Sequence, residues 1–223
     1  MMAEIEGSLL AGRPPKYVQI ATAAVPDGPD VVAKWHRMGR EQAERLGVEC
    51  VIVDVATPED ANDPRLVELI DQPGLIYLSG GHPDFLADVL RGSAVWSRIL
   101  SEWRAGAALA GCSAGAMVMA QRIPSLRHPR EGGTEGLGLT PHVRVIPHFD
   151  RFAARMPDVL DRFLLPNDDA ITVVGIDEET ALVGGPQEWT VQGRQSVWEL
   201  TKQGRTQYMP GDTFTSPLRP ADA

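Results

Sequence analysis

Short uninterrupted apolar runs alternate with amphipathic stretches through the first half of the chain. Residues 17–21, 50–55, 75–78 and 107–111 are apolar at nearly every position, the pattern of strands buried on both faces of a parallel sheet. Between the first two, residues 30–46 carry Val31, Val32, Trp35, Met38 and Leu46 at spacings near three and four and stop before Gly47, where a helix C-terminus favours glycine. Asp63 is placed to cap a helix that opens with Pro64 and carries Leu66, Leu69 and Ile70. Residues 83–90 and 94–104 read as two more helices, parted by Gly92 and Ser93. This β-α-β-α order predicts an α/β fold, a three-layer sandwich about a mostly parallel central sheet.

The second half has a different texture. Gly132, Gly133, Gly136 and Gly138 mark a long loop, followed by a strand over 142–147 and a helix over 149–165 that contains Pro157. Short runs then follow at 171–175, 181–183, 189–192, 197–200 and 206–209, punctuated by Gly184, Gly185, Pro186, Gly193 and Gly204. They predict antiparallel strands and hairpins closing one edge of the sheet. The whole chain, 1–223, reads as a single domain, with residues 1–15 and 210–223 as irregular ends.

Charge narrows the partners. Against 21 Lys and Arg stand 30 Asp and Glu, a net charge of −9, which disfavours nucleic acid and anionic membranes because both need a cationic surface. A small molecule or small peptide is the expected substrate, and a homodimer the assembly considered. Cys50 and Cys112 are the two cysteines, each inside an apolar run, so a secreted disulfide framework is not expected. The N-terminal residues are acidic where an export signal would be basic. The longest uncharged stretch, 105–120, is too short and too rich in Gly, Ala and Ser to span a bilayer. The expected compartment is the reducing cytoplasm.

The candidate chemistry lies at Ser113. Residues 107–119 run from an apolar strand through Gly111-Cys112-Ser113-Ala114-Gly115 into a helical pattern, the G-x-S-x-G spacing of a nucleophile elbow. A serine on that sharp turn holds strained angles, and glycines two positions away on either side let the backbone approach. The following helix would turn its free amides and dipole toward the site, making the Ala114 N–H one oxyanion donor. Cys112 is the rival nucleophile, but the first x of the motif points away from the elbow and suits a small buried side chain.

Gly80 and Gly81 end the third strand and leave amides exposed, so Gly81 is the candidate second oxyanion donor. Among the five histidines, His36 reads as a surface or satisfied helix residue and His128 as a loop residue, and His142 is the remaining strand candidate. His148 ends a strand and precedes a helix, as Ser113 does, and is the candidate general base. The acid that orients it stays open among Glu131 and Glu135, which flank the glycine turn, and Asp150, Asp177, Glu178 and Glu179. No H-E-x-x-H or paired-cysteine spacing occurs, so neither a metal nor another cofactor is expected.

Three segments together, Ile76-Tyr77-Leu78-Ser79-Gly80-Gly81, Gly111 to Ala116 and Pro147-His148-Phe149, resemble the serine peptidases that comprise dipeptidase E, an aspartyl dipeptidase, and cyanophycinase, which share a class I glutamine amidotransferase-like fold. The resemblance implies Ser113 as nucleophile, His148 as base and Gly81 with Ala114 as oxyanion donors. It places the acid between Ser and His, which favours Glu131 over Glu135 and disfavours residues 177–179. It further implies hydrolysis of peptides that begin with Asp or carry β-aspartyl linkages. Arg151 and Arg155 are placed to hold a substrate carboxylate. His82 stands where relatives carry Asn, so a polar substrate contact is altered there. A non-peptide amide or ester substrate, or a silent binding domain, are the alternatives on the same scaffold.

Overall fold

The computed structural model describes residues 2–124, 133–151, 171–185 and 187–216. Residues Met1–Ala116 form one compact unit and Met117–Ala223 a second.

In the first unit, four apolar runs form a parallel sheet: β1 (Lys16–Ile20), β2 (Glu49–Ile52), β3 (Leu75–Leu78) and β4 (Ala108–Gly111), in the order β2-β1-β3-β4. The helices are α1 (Met2–Leu10), α2 (Pro29–Leu46), α3 (Pro64–Glu68), α4 (Pro83–Leu90) and α5 (Ala94–Arg104), with 3-10 turns at Thr22–Asp27 and Asp60–Asn62. Local signals act where the sequence puts them: the Asp63 carboxylate accepts from the Arg65 amide at the start of α3, and Ser93 accepts from the Trp96 amide at the start of α5. Val18, Ile76 and Leu78 are completely buried on one face of the sheet. On the other face Tyr17, Leu75 and Ala108 form a cluster with Leu10 of α1 and Ala43 of α2. Each large aliphatic chain buried this way contributes about 1.5–3 kcal/mol.

Two expectations are corrected in this unit. The N-terminal residues are not irregular: α1 buries Ile5 and Leu10, and its last turn is tied down by Arg13, whose guanidinium donates to the Leu9 and Gly106 carbonyls. Its apolar stripe is interrupted by Glu6, which is buried and accepts from Gln42 Nε2 of α2 at 2.7 Å. His36 is neither exposed nor satisfied; it is buried on α2 and its Nε2 has no hydrogen-bond partner.

The one-turn helix α6 (Ala114–Met117) spans the junction of the units. The second unit contains β5 (Arg122–Ile123), β6 (Thr134–Glu135), β7 (Val143–Pro147), β8 (Thr172–Ile176), β9 (Thr180–Gly184), β10 (Glu188–Gly193), β11 (Val197–Thr201), β12 (Gly204–Tyr208) and β13 (Thr213–Thr215). They make sheets ordered β12-β11-β8-β7 and β13-β10-β9, with β5 and β6 paired. Val143, Val174, Val191, Val197 and Phe214 form the core. The C-terminal strands are antiparallel as expected, except that β8 runs parallel to β7. Within the stretch expected to be irregular, residues 213–215 instead form β13, where Phe214 is 1% exposed and the strand pairs with β10. The expected helix over 149–165 is described only at its start, residues 149–151. Among the described residues no helix is long and apolar enough to cross a membrane.

Candidate active site

The first unit supplies the elbow. β4 delivers Cys112, whose amide donates to the Leu78 carbonyl at the end of β3, and the chain then reverses through Ser113 at φ 48°. A left-handed angle costs a residue with a Cβ of order 1 kcal/mol or more, so packing on both sides must hold it. The glycines show how. A Cβ on Gly115 would sit 2.2 Å from the Leu78 carbonyl oxygen, and one on Gly111 would sit 2.4 Å from the Gly115 backbone. Only hydrogen fits at either position, and the turn is clamped against β3. The helix that follows is shorter than the sequence pattern suggests, a single turn over Ala114–Met117. A cumulative dipole is therefore small, and any oxyanion stabilisation rests on individual amides.

The Gly80-Gly81 loop lies against this elbow. A Cβ on Gly80 would come 3.3 Å from Ser113 Cβ and 3.2 Å from Trp35 Cζ2. Gly81 has φ 142° and its Cβ would strike the Ala23 carbonyl at 2.1 Å, while the His82 amide donates to that same carbonyl at 2.7 Å. The loop is thus pinned to the 3-10 turn at Thr22–Asp27. His82, expected at the substrate, has its Nε2 2.9 Å from Asp27 Oδ1.

The Cys112 thiol is engaged by the Tyr77 side chain and the Gly80 backbone. Burial pushes its thiol up, partly offset by hydrogen bonds from the Tyr77 hydroxyl and the Gly80 amide. A thiol held protonated is a poor nucleophile, which leaves the elbow to Ser113.

The second unit supplies a base with an acid. His148 follows β7 at φ 53°, a second left-handed corner between a strand and a helical turn. Phe149 anchors it: the ring is 2% exposed and lies against Gly175, where a Cβ would fall 2.4 Å from the ring. His148 Nδ1 is 2.8 Å from Glu178 Oε1. The parallel pairing explains the meeting. β7 and β8 are in register with Pro147 beside Ile176, so the residues just past each strand leave the same sheet edge side by side. Glu178 is itself held by its backbone. Its amide donates to Asp150 Oδ1 at 3.0 Å, and its carbonyl accepts from Gln195 Nε2 at 3.0 Å and from Thr180 Oγ1 at 3.2 Å.

The other candidates sort as follows. Glu131, favoured as the acid by the resemblance, lies outside the described residues, as do Arg155 and His128; the described carboxylate on His148 is Glu178, one of those the resemblance disfavours. Glu135 is exposed in β6, and Asp177 accepts from the Trp198 indole and the Ser196 amide. Glu179 pairs with Arg194 at 2.9 Å. Arg151, expected at a substrate carboxylate, has its Nε 3.4 Å from Glu178 Oε1. Trp35 fits the apolar periodicity of α2, and no local signal separates an apolar residue that faces the core from one that packs on Gly80.

A strained serine on a glycine-clamped elbow and a histidine–glutamate pair on a second corner are features of a hydrolase, and the family comparison agrees: the model of peptidase family S51 matches residues 8–190. The chain belongs to peptidase family S51. Two of the solved structures that are similar to this S51 chain carry peptidase names. A peptidase from an acI-B1 Actinobacterium is 40% identical, with 96% of this chain and 91% of that one covered and a TM-score of 0.87. A protein from Listeria monocytogenes EGD-e that carries the peptidase E name is 18% identical over 86% of this chain and 92% of its own, with a TM-score of 0.63; it supports the fold. No curated protein sequence matches the chain.

Proposed function

We propose that this S51 peptidase is a serine-type enzyme that hydrolyses small peptides, dipeptides with an N-terminal Asp or a β-aspartyl linkage, through Ser113, His148 and Glu178. The observation that carries the reading is the left-handed Ser113 on an elbow whose flanking glycines admit no side chain. In this mechanism Ser113 Oγ attacks the scissile carbonyl carbon while His148 accepts the hydroxyl proton. The carbonyl oxygen becomes an oxyanion that accepts from the Gly81 and Ala114 amides. His148 then returns the proton to the leaving amine, and water hydrolyses the acyl-serine with the same base.

Glu178 takes the acid's role in place of Glu131. By accepting from His148 Nδ1–H it would fix the tautomer in which Nε2 handles the proton, and it would stabilise the imidazolium that forms. Arg151 is the described cation beside this pair and the candidate for a substrate carboxylate, with Arg155 as the second. The cytoplasm remains the proposed compartment, and a homodimer the proposed assembly.

The test is a peptide screen with product analysis by mass spectrometry. Asp-Xaa and β-Asp-Xaa dipeptides are expected to be cleaved, and matched dipeptides with Asn or Ala in place of Asp left nearly intact. Equal cleavage of the Asn and Ala controls would remove the acidic specificity, and cleavage of none would remove the dipeptidase reading.

A further inference from the structure

We propose that Trp198 is a positioning residue for the base and its acid: its indole grips the chain beside His148 and beside Glu178 and so sets the geometry between them. The inference rests on His148 and Glu178 acting as base and acid, and it adds a residue that touches neither. The contact it serves is short, 2.8 Å from His148 Nδ1 to Glu178 Oε1, although the His148 side chain is half-exposed. An exposed ion pair holds itself together only weakly. Its geometry is therefore set by what fixes the two corners.

Trp198 lies on β11 opposite Gly175 of β8, and Gly175 lies opposite Ile146 of β7. The missing side chain at 175 leaves room for a ring. Phe149, the residue after His148, fills it: a Cβ on Gly175 would fall 2.4 Å from the Phe149 ring, whose centroid is 6.1 Å from that of Trp198 with the planes tilted by 43°. On the acid's side, Trp198 Nε1–H donates to the Asp177 carboxylate, at 3.0 Å to Oδ2 and 3.2 Å to Oδ1. Asp177 immediately precedes Glu178, is buried, and also accepts from the Ser196 amide at 3.2 Å. Removing a donor from a buried carboxylate costs more than removing one from a neutral acceptor, so the indole N–H holds this corner firmly. Asp150 ties the Glu178 amide from the other side at 3.0 Å. One rigid side chain thus reaches from the residue after the base to the residue before the acid, through ring packing at one end and a charge-assisted hydrogen bond at the other.

A fluorophosphonate reads the pair without a known peptide substrate: Ser113 Oγ bonds to phosphorus, fluoride leaves, and His148 takes the hydroxyl proton. The rate constant for Ser113 modification, followed by intact mass, is measured in a double-mutant cycle. Trp198→Phe keeps a ring against Phe149 and removes the N–H donor. It is expected to lower the rate about tenfold in the otherwise wild-type protein and less than about twofold when Glu178 is already Ala, because no acid is then left to misplace. An unchanged rate in the single variant overturns the proposal. An equal loss in both backgrounds also overturns it, since Trp198 would then serve the fold and not the acid. If Trp198→Phe does not fold by circular dichroism, Asp177→Asn takes its place in the cycle. Its carboxamide keeps one oxygen for two donors, and a loss of about threefold or more is expected only with Glu178 present; no loss, or the same loss without Glu178, overturns the proposal. Modification as fast in His148→Ala or Glu178→Ala as in wild type removes the base and acid reading itself and takes the positioning role with it.

Discussion

Ser113 and His148 both hold left-handed backbone angles without being glycine or asparagine, at φ 48° and 53°. Such angles persist where the surroundings over-determine them, and they concentrate at sites of chemistry. Ser113→Ala keeps the Cβ and the angle, so the protein is expected to fold normally and to lose at least about 10³-fold in kcat on its best peptide. Cys112→Ala is expected to stay active, because desolvation pushes the thiol pKa up and the thiol is engaged by the Tyr77 hydroxyl. Kinetics on the two variants side by side check the assignment, which fails if their effects are reversed. At the acid, Glu178→Gln keeps the shape and an oxygen that can accept from His148 Nδ1–H but removes the charge that stabilises imidazolium. A loss of about 10²- to 10⁴-fold in kcat is expected. If Glu131→Gln shows that loss and Glu178→Gln does not, the acid comes from the loop before His148.

At the scale of elements, the elbow depends on how closely β4 and α6 approach β3. Gly115→Ala would place a methyl 2.2 Å from the Leu78 carbonyl, backbone against backbone with no flexible side chain to move. A stability loss of about 3 kcal/mol in urea unfolding is expected; a change below about 0.5 kcal/mol would mean that the approach is loose. The packing of α2 carries a pH effect of its own. Burial lowers the His36 pKa, opposed by Asp54 and reinforced by Arg40, and its Nε2 lies 3.9 Å from Asp54 Oδ1. With a folded pKa below the unfolded one, the unfolded chain binds more protons. The stabilisation is then present above about pH 6.5 and lost as the pH falls below it. Urea midpoints measured from pH 7.5 to 5 are expected to fall less steeply in His36→Gln than in wild type, and parallel curves would refute the linkage. The first-half elements were legible because continuous apolar runs and 3.6-residue periodicity are local properties. α1 was not, since Glu6 interrupts its apolar stripe. The parallel pairing of β7 with β8 was not either, because the register of strands some thirty residues apart is decided by tertiary packing. That missing pairing is why Glu178 stayed one acid among several while the elbow and His148 could be named from sequence.

At the scale of the whole molecule, charge sets the first constraint on the substrate. The net charge of −9 makes a local cation necessary if the substrate is acidic, since the long-range field repels it. Arg151→Met is therefore expected to raise KM for Asp-containing dipeptides about tenfold or more while changing KM for an uncharged amide less than twofold; equal changes would remove Arg151 from the substrate carboxylate. The central claim is that Ser113 is an activated nucleophile whose reactivity depends on His148 and Glu178. It is tested most directly by fluorophosphonate modification followed by peptide mapping on wild type, Ser113→Ala, His148→Ala and Glu178→Gln. A single adduct on Ser113 is expected in wild type, none in Ser113→Ala, and rates lowered at least about 100-fold in His148→Ala and to a smaller degree in Glu178→Gln. An adduct on Cys112, or a Ser113 adduct that forms as fast without His148 as with it, would contradict it.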